Sequence, residues 1–253
     1  MPLFAQAGLW GLLSGSALII GAAFGYFIRI DQRLVAAVMA FGSGVLISAL
    51  SFDLMDEAYR QGGFDSTAFG FLVGAAVFTA ANIAVSRRGG AHRKRSGSDE
   101  DEKQQHTSEG GGLGIAVGAL LDGMPESVVI GVSLLQGKGV SLTAVIAVFL
   151  SNLPEGLSSA SGMKAAGRSR RYAFGVWGSI AASSGVAALI GNIALADASP
   201  ELIAATMALA AGAILAMLAD TMMPEAFDTA HEYAGLITVA GFLAAFVLSK
   251  LSD

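Results

Sequence analysis

Three of the chain's five prolines stand directly before a glutamate, as Pro125-Glu126, Pro154-Glu155 and Pro224-Glu225, each within or at the end of a long apolar run. A proline inside a helix lacks the N–H that would bond the carbonyl four residues back, so Pro125 is expected to free the oxygen of Leu121 and Pro154 that of Leu150. A carboxylate lies beside each freed carbonyl. Asp122 and Glu126 are four apart, hence on one helix face; Ser151 and Glu155 are four apart and Asn152 and Glu155 three apart on another. If the two helices pack together, Asp122, Glu126, Ser151, Asn152 and Glu155 offer an oxygen-rich set of donors. Such a set suits a divalent cation. The chain has no cysteine, which removes thiolate metal sites and cysteine nucleophiles.

These residues need elements that hold them inside an apolar medium. Over 253 residues the chain is 54% apolar and 14% charged, with a mean hydropathy of +0.63, outside the usual range of soluble domains. A bilayer core of about 30 Å needs roughly 20 apolar residues per helix. Eight windows meet this: Ala7–Ile30, Leu34–Arg60, Thr67–Val85, Gly112–Leu135, Val140–Lys164, Tyr172–Leu195, Glu201–Phe227 and Tyr233–Leu251. The expectation is a single all-α membrane domain of eight spans over 1–253, with 33 glycines allowing close helix approach. The first run has no Lys or Arg before it and reads as a retained span, not a cleaved leader. Of the 15 basic residues, all but Arg60, Lys138 and Lys250 fall on one side of this arrangement. By the positive-inside rule that side is cytoplasmic and both termini lie outside it. The polar tract Ser86–Gly111 is expected to be a disordered cytoplasmic loop, its His92 and His106 plain solvated residues or weak samplers of metal. The basic residues form no nucleic-acid footprint, so nucleic acid is set aside.

Neither run that carries the acids has a Lys or Arg in its interior. A charged side chain at a bilayer centre costs roughly 2.5 to 3.5 kcal/mol even on the most forgiving scale. The three acids are therefore either protonated and hydrogen-bonded within the bundle, or neutralised by a cation that arrives from outside. Asp53 and Glu57 near the end of the second span, and Glu225 near that of the seventh, are weaker candidates for an entry or exit path. Asp56, Asp220 and His231 belong with them, and a solvated helix end is the bland reading of all six. No intramembrane histidine supports a metal-dependent enzyme, so no catalytic activity is expected.

The chain also repeats itself. A shift of 168 lays Met39–Arg60 over Met207–Asp228 with Met39/Met207, Ala40/Ala208, Gly44/Gly212, Leu50/Leu218, Met55/Met223, Glu57/Glu225 and Ala58/Ala226 identical. A shift of 29 lays Leu120–Ser127 (LLDGMPES) over Phe149–Gly156 (FLSNLPEG). Both pairs would be antiparallel in a membrane, as in the inverted repeats of many alternating-access transporters.

With SNLPEG at Ser151–Gly156, DGMPES at Asp122–Ser127 and a Gly-rich second span ending in Glu57-Ala58, the chain resembles the ZIP (Zrt/Irt-like) family of divalent-metal transporters over nearly its whole length. The resemblance implies a transport site between spans four and five, with Glu126 and Glu155 as metal-binding glutamates and Asn152 as an amide ligand. Asp53 lies where the family's second span commonly has a histidine. It further implies ions moving toward the cytoplasm by an elevator motion of two bundles, with zinc, manganese, iron or cadmium as cargo. Three positions depart from the motif: Asp122 replaces a histidine, Gly123 an asparagine, and Ser151 a histidine or glutamine. The family's span-six glutamate is missing, with Ser183 and Ser184 the nearest polar residues. Loss of imidazole shifts the preference from zinc toward harder ions such as Mn²⁺ or Mg²⁺, and fewer bridging ligands point to one metal per site. The other reading is a non-transporting membrane scaffold or metal sensor descended from a transporter. A bacterial inner membrane is the expected location, lipid and divalent ions the expected partners, and a homodimer is left open.

Overall fold

The computed structural model describes residues 1–28, 30–87, 111–137, 139–165 and 167–252. The polar tract expected as a cytoplasmic loop falls, with His92 and His106, at 88–110 outside the described residues. Among the described residues there are helices and connections but no strand. The α-helices are α1 (Leu3–Phe27), α2 (Gln32–Ala49), α3 (Asp56–Val85), α4 (Gly111–Ser133), α5 (Leu142–Ala165), α6 (Arg170–Ala194), α7 (Pro200–Met217), α8 (Met223–Ala230) and α9 (Ala234–Ser252). Asp31, Ser169 and Ser199 start α2, α6 and α7 by accepting the backbone N–H of Arg33, Tyr172 and Leu202, as N-cap side chains do. Among the described residues six helical stretches are long and apolar enough to cross a membrane, consistent with a helical integral membrane protein.

The second and third windows lie on one helical run of 54 residues, Gln32–Val85, which kinks at Gly63, whose φ of 70° and ψ of −172° lie outside the helical region. Glycine reaches that conformation without a Cβ clash, and Thr67 donates its hydroxyl to the Gly63 carbonyl. Helices α4 and α5 run on through Pro125 and Pro154. The irregular turns lie elsewhere. A π-helical turn at Leu50–Met55 joins α2 to α3, and another at Leu218–Met222 joins α7 to α8. Their first residues are the aligned leucines of the 168-residue repeat.

The helices pack as two groups. In one, α1 lies against α5 and α6, and α4 lies against α6; in the other, α3 lies against α7 and α2 against α9. The larger core, around Met39, Leu54, Phe78 and Met217, crosses between the groups by taking in Val129 and Val132 of α4 and Ala144 and Ala147 of α5, while a smaller one lies around Leu18, Ala160 and Trp177. The groups meet where α2 touches α5 and α4 touches α7.

Glycines set the spacing inside each group. A Cβ on Gly44 would land on the Thr238 carbonyl of α9, and one on Gly212 would land on the Phe71 carbonyl of α3. Reciprocally, Gly241 of α9 abuts the Phe41 carbonyl and Gly74 of α3 abuts the Leu209 carbonyl. Gly44/Gly212 and Phe41/Leu209 are each related by the shift of 168, so the α2–α9 and α7–α3 contacts are built the same way. Gly44→Ala and Gly212→Ala are each expected to lower stability by about 1–3 kcal/mol through overpacking. Gly178→Ala, where nothing lies within 4 Å, is expected to be neutral or slightly stabilising. Thermal unfolding in detergent measures all three, and equal behaviour would refute the backbone-contact account.

Candidate functional site

The sequence-predicted acids are buried. Asp122 is 1% exposed, Glu126 2% and Glu155 7%, and among the described residues these three are the only ionisable side chains in the buried class. Ser151 and Asn152 are buried with them, at 5% and 3%. Close backbone packing provides the enclosure. Gly156, next to Glu155, abuts the Leu18 carbonyl of α1, while Gly21 and Gly25 of α1 abut the carbonyls of Leu153 and Leu157. On α4, Gly131 abuts the Ala188 carbonyl of α6.

A hydrogen bond joins the two proline-bearing helices: the Ser151 hydroxyl donates to Oε1 of Glu126 at 3.2 Å, and lies 2.9 Å from the Val148 carbonyl. The spacing placed these two side chains on faces that could meet if α4 and α5 packed together. Asn152 turns its Nδ2 to the Ser14 carbonyl at 3.3 Å, tying α5 to α1. Asn192 does the same for the neighbouring pair, donating to the Gly131 carbonyl of α4 at 2.9 Å. Among the described residues no three His, Cys, Asp or Glu side chains converge as a metal-binding group, so Asp122, Glu126 and Glu155 share one buried region without forming a closed three-carboxylate cage.

Carbonyl oxygens add to the polar lining. Pro154 has no N–H to offer Leu150, and the Leu150 oxygen faces α2 across the seam, 3.4 Å from where a Cβ on Gly42 would stand. The two departures in spans four and six face one another: a Cβ on Gly123 would have the Ser184 Oγ, at 3.9 Å, as its neighbour. A narrow groove between α4 and α6, lined by Gly123, Ser127, Ser183 and Ser184 with apolar side chains, marks the place.

The weaker candidates separate. Asp53 sits half-buried in the first π-turn, where its carboxylate accepts from the Ser249 hydroxyl of α9 at 2.9 Å and from the Ser141 hydroxyl just before α5 at 3.3 Å. It bridges the two helix groups. Glu57 accepts from the Gln61 amide at 2.7 Å one turn on, and Asp56 forms an exposed ion pair with Arg60 at 2.7 Å. Glu225 is half-buried on α8, whereas Asp220 and His231 are exposed. Sequence reasoning missed Ser141 and Ser249, for which no pattern gave a signal. It also missed the Ser14 carbonyl, although the period of small residues along α1 (Gly8, Gly11, Gly15) marks that helix as closely packed.

Neither protein-family models nor curated proteins give a match to this chain. The ZIP resemblance therefore rests on the chain's own motifs. Ser151→Ala is expected to keep the fold while lowering stability by about 1–2 kcal/mol, because a buried carboxyl oxygen loses its donor. Thermal unfolding of the purified variant measures it, and an unchanged midpoint would mean that the Ser151 bond does not support Glu126.

Proposed function

We propose that the chain is a secondary transporter that carries divalent metal cations across a membrane, with Asp122, Glu126 and Glu155 supplying the negative charge that receives the ion. The observation that carries this reading is the burial of these three acids, and of no other ionisable group among the described residues, on α4 and α5, two helices joined by the Ser151–Glu126 hydrogen bond. Enclosed carboxylates at membrane depth are costly without a function to retain them. A dication entering from water offsets two of their charges at once, and Ser151, Asn152 and the proline-freed carbonyls add neutral oxygen donors.

The division into two helix groups supports an alternating-access motion. Backbone-on-backbone glycine contacts lock each group internally, whereas at the seam Gly42 keeps ordinary van der Waals distance from Leu150. We read the 54-residue run Gln32–Val85 as two crossings turning at Gly63, since at about 1.5 Å per residue it is long enough for both. With α4 counted as a crossing, the total is eight. The matched glycine contacts and π-turns support an inverted repeat, in which two halves of opposite orientation expose a central site to each side in turn. Transport toward the cytoplasm, with both termini outside, follows from the basic-residue asymmetry and the ZIP resemblance.

The donor set favours Mn²⁺ over Zn²⁺, because carboxylate, hydroxyl and amide oxygens replace imidazole. Purified protein in liposomes loaded with a metal-sensing dye tests this. Wild type is expected to admit Mn²⁺ faster than Zn²⁺, and Glu126→Ala and Glu155→Ala to lower uptake by about tenfold or more, since affinity of oxygen sites follows ligand charge. Background flux from wild type for every ion, equal to that of both variants, would overturn transport and leave the scaffold or sensor reading.

A further inference from the structure

The turn between α5 and α6 concentrates positive charge in a way that the metal site does not use. Lys164, Arg168, Arg170 and Arg171 fall within eight residues, and all four are exposed. Among the described residues no Asp or Glu oxygen lies within ion-pair distance of any of them. Their partners are aromatic faces instead. The Lys164 ammonium lies 5.8 Å from the Tyr26 ring centre, the Arg168 guanidinium 5.4 Å from that of Tyr172, and the Arg170 guanidinium 5.2 Å from that of Phe27. All three are cation–π distances. Tyr26, Phe27 and Phe174 pack against one another with centroids 5.6 to 6.1 Å apart, joining the end of α1 to the first turns of α6.

Hydrogen bonds tie the described residues on either side of the turn. At its start Gly167, with φ 71°, donates its N–H to the Lys164 carbonyl while Arg168 donates to that of Met163, the paired bonds of a Schellman cap. At its end Ser169 caps α6. Between them the Tyr26 hydroxyl donates to the Arg168 carbonyl at 2.9 Å. Beyond the Ser169 bond to Tyr172, the backbone N–H groups of Arg170 and Arg171 open the 25-residue helix α6, an end that attracts anions.

We propose that this turn binds the headgroup phosphate of an anionic phospholipid in the leaflet it faces. Phe27, 55% exposed at the end of a membrane-length helix, places the site at the level where acyl chains meet headgroups, as interfacial aromatics do. A cluster of cations there, with no carboxylate partner among the described residues, offers a phosphodiester charge and hydrogen bonds together. The aromatic rings keep the guanidinium groups in place without neutralising them. This inference stands apart from the metal-transport reading and needs only the membrane setting.

The test uses the full chain in nanodiscs of phosphatidylcholine with and without phosphatidylglycerol, scored by lipid retained in native mass spectrometry and by thermal midpoint. Wild type is expected to retain phosphatidylglycerol over phosphatidylcholine and to melt higher in its presence. Arg168→Gln, Arg170→Gln and Arg171→Gln are each expected to weaken that preference roughly fivefold. Arg60→Gln, on α3, should leave it intact. Should an arginine variant misfold, Tyr26→Phe provides the second arm: it keeps every charge, frees the Arg168 carbonyl, and is expected to reduce the preference. Equal retention of both lipids by wild type, or full preference in the arginine variants, would overturn the proposal. Displacement of the lipid by millimolar inorganic phosphate alone would overturn it too, by assigning the site to the free anion.

Discussion

A carboxyl group inside an apolar bundle has to be shielded from lipid on every side, and side chains long enough to do this would push the helices apart. The alternative is to bring backbones so close that no lipid tail enters. Around Glu155 this is what the chain does: Gly156 meets the backbone of α1, and Gly21 and Gly25 of α1 meet the backbone of α5 in return. Lipid tails are as apolar as leucine, so helices in a membrane gain little from burying large apolar side chains and gain instead from contacts that small residues permit. The alanine-rich cores follow from the same constraint.

Close packing of this kind also decides which parts can move. Contacts that place a glycine against a carbonyl oxygen leave no room for sliding, because the groove accepts one register. They occur within the α1–α5, α4–α6, α2–α9 and α3–α7 pairs. The two groups they define meet through apolar side-chain packing and through polar bridges such as Asp53 to Ser141. In the proposed transporter, an ion held on α4 and α5 would travel with the group that contains α1, to which Asn152 ties α5. Asp53 holds on both sides of that seam, with Ser249 in its own group and Ser141 in the other. Its position in a π-turn suits this role, since such turns commonly mark functional sites in helices.

The sequence made the acid residues legible because charge at membrane depth is rare and because spacings of three and four translate directly into a helix face. Their burial and the Ser151–Glu126 contact followed from that. The 168-residue repeat was legible as identities, and its packing meaning emerged when Gly44 and Gly212 proved to touch carbonyls on equivalent partners. Other features had no local signal. Helices α4 and α5 continue through Pro125 and Pro154, because a missing N–H removes one bond while neighbouring helices hold the rest in place. The first π-turn inserts an extra residue where no Gly or Pro marks it, whereas the second is followed closely by Pro224. Asp53 gains its partners from residues 88 and 196 positions away, a distance over which sequence spacing carries no geometric information.

Gly123 and Ser184 are neighbours in space, which bears on how many ions a metal site there would hold. Two divalent ions a few ångströms apart need carboxylates that bridge them and further ligands on each outer side. Here Gly123 presents no side chain on α4, and Ser184 presents a hydroxyl on the facing turn of α6, 3.9 Å from where a Cβ on Gly123 would stand. The groove between them is lined by hydroxyls and apolar side chains and carries no charge. The negative charge is confined to Asp122, Glu126 and Glu155, and Ser151 already occupies one oxygen of Glu126. Three carboxylates leave one negative charge beside one dication and one positive charge beside two, so charge alone does not set the number. The groove between α4 and α6 offers a second ion hydroxyls but no carboxylate, and that lack of ligands favours a single ion in a metal site there.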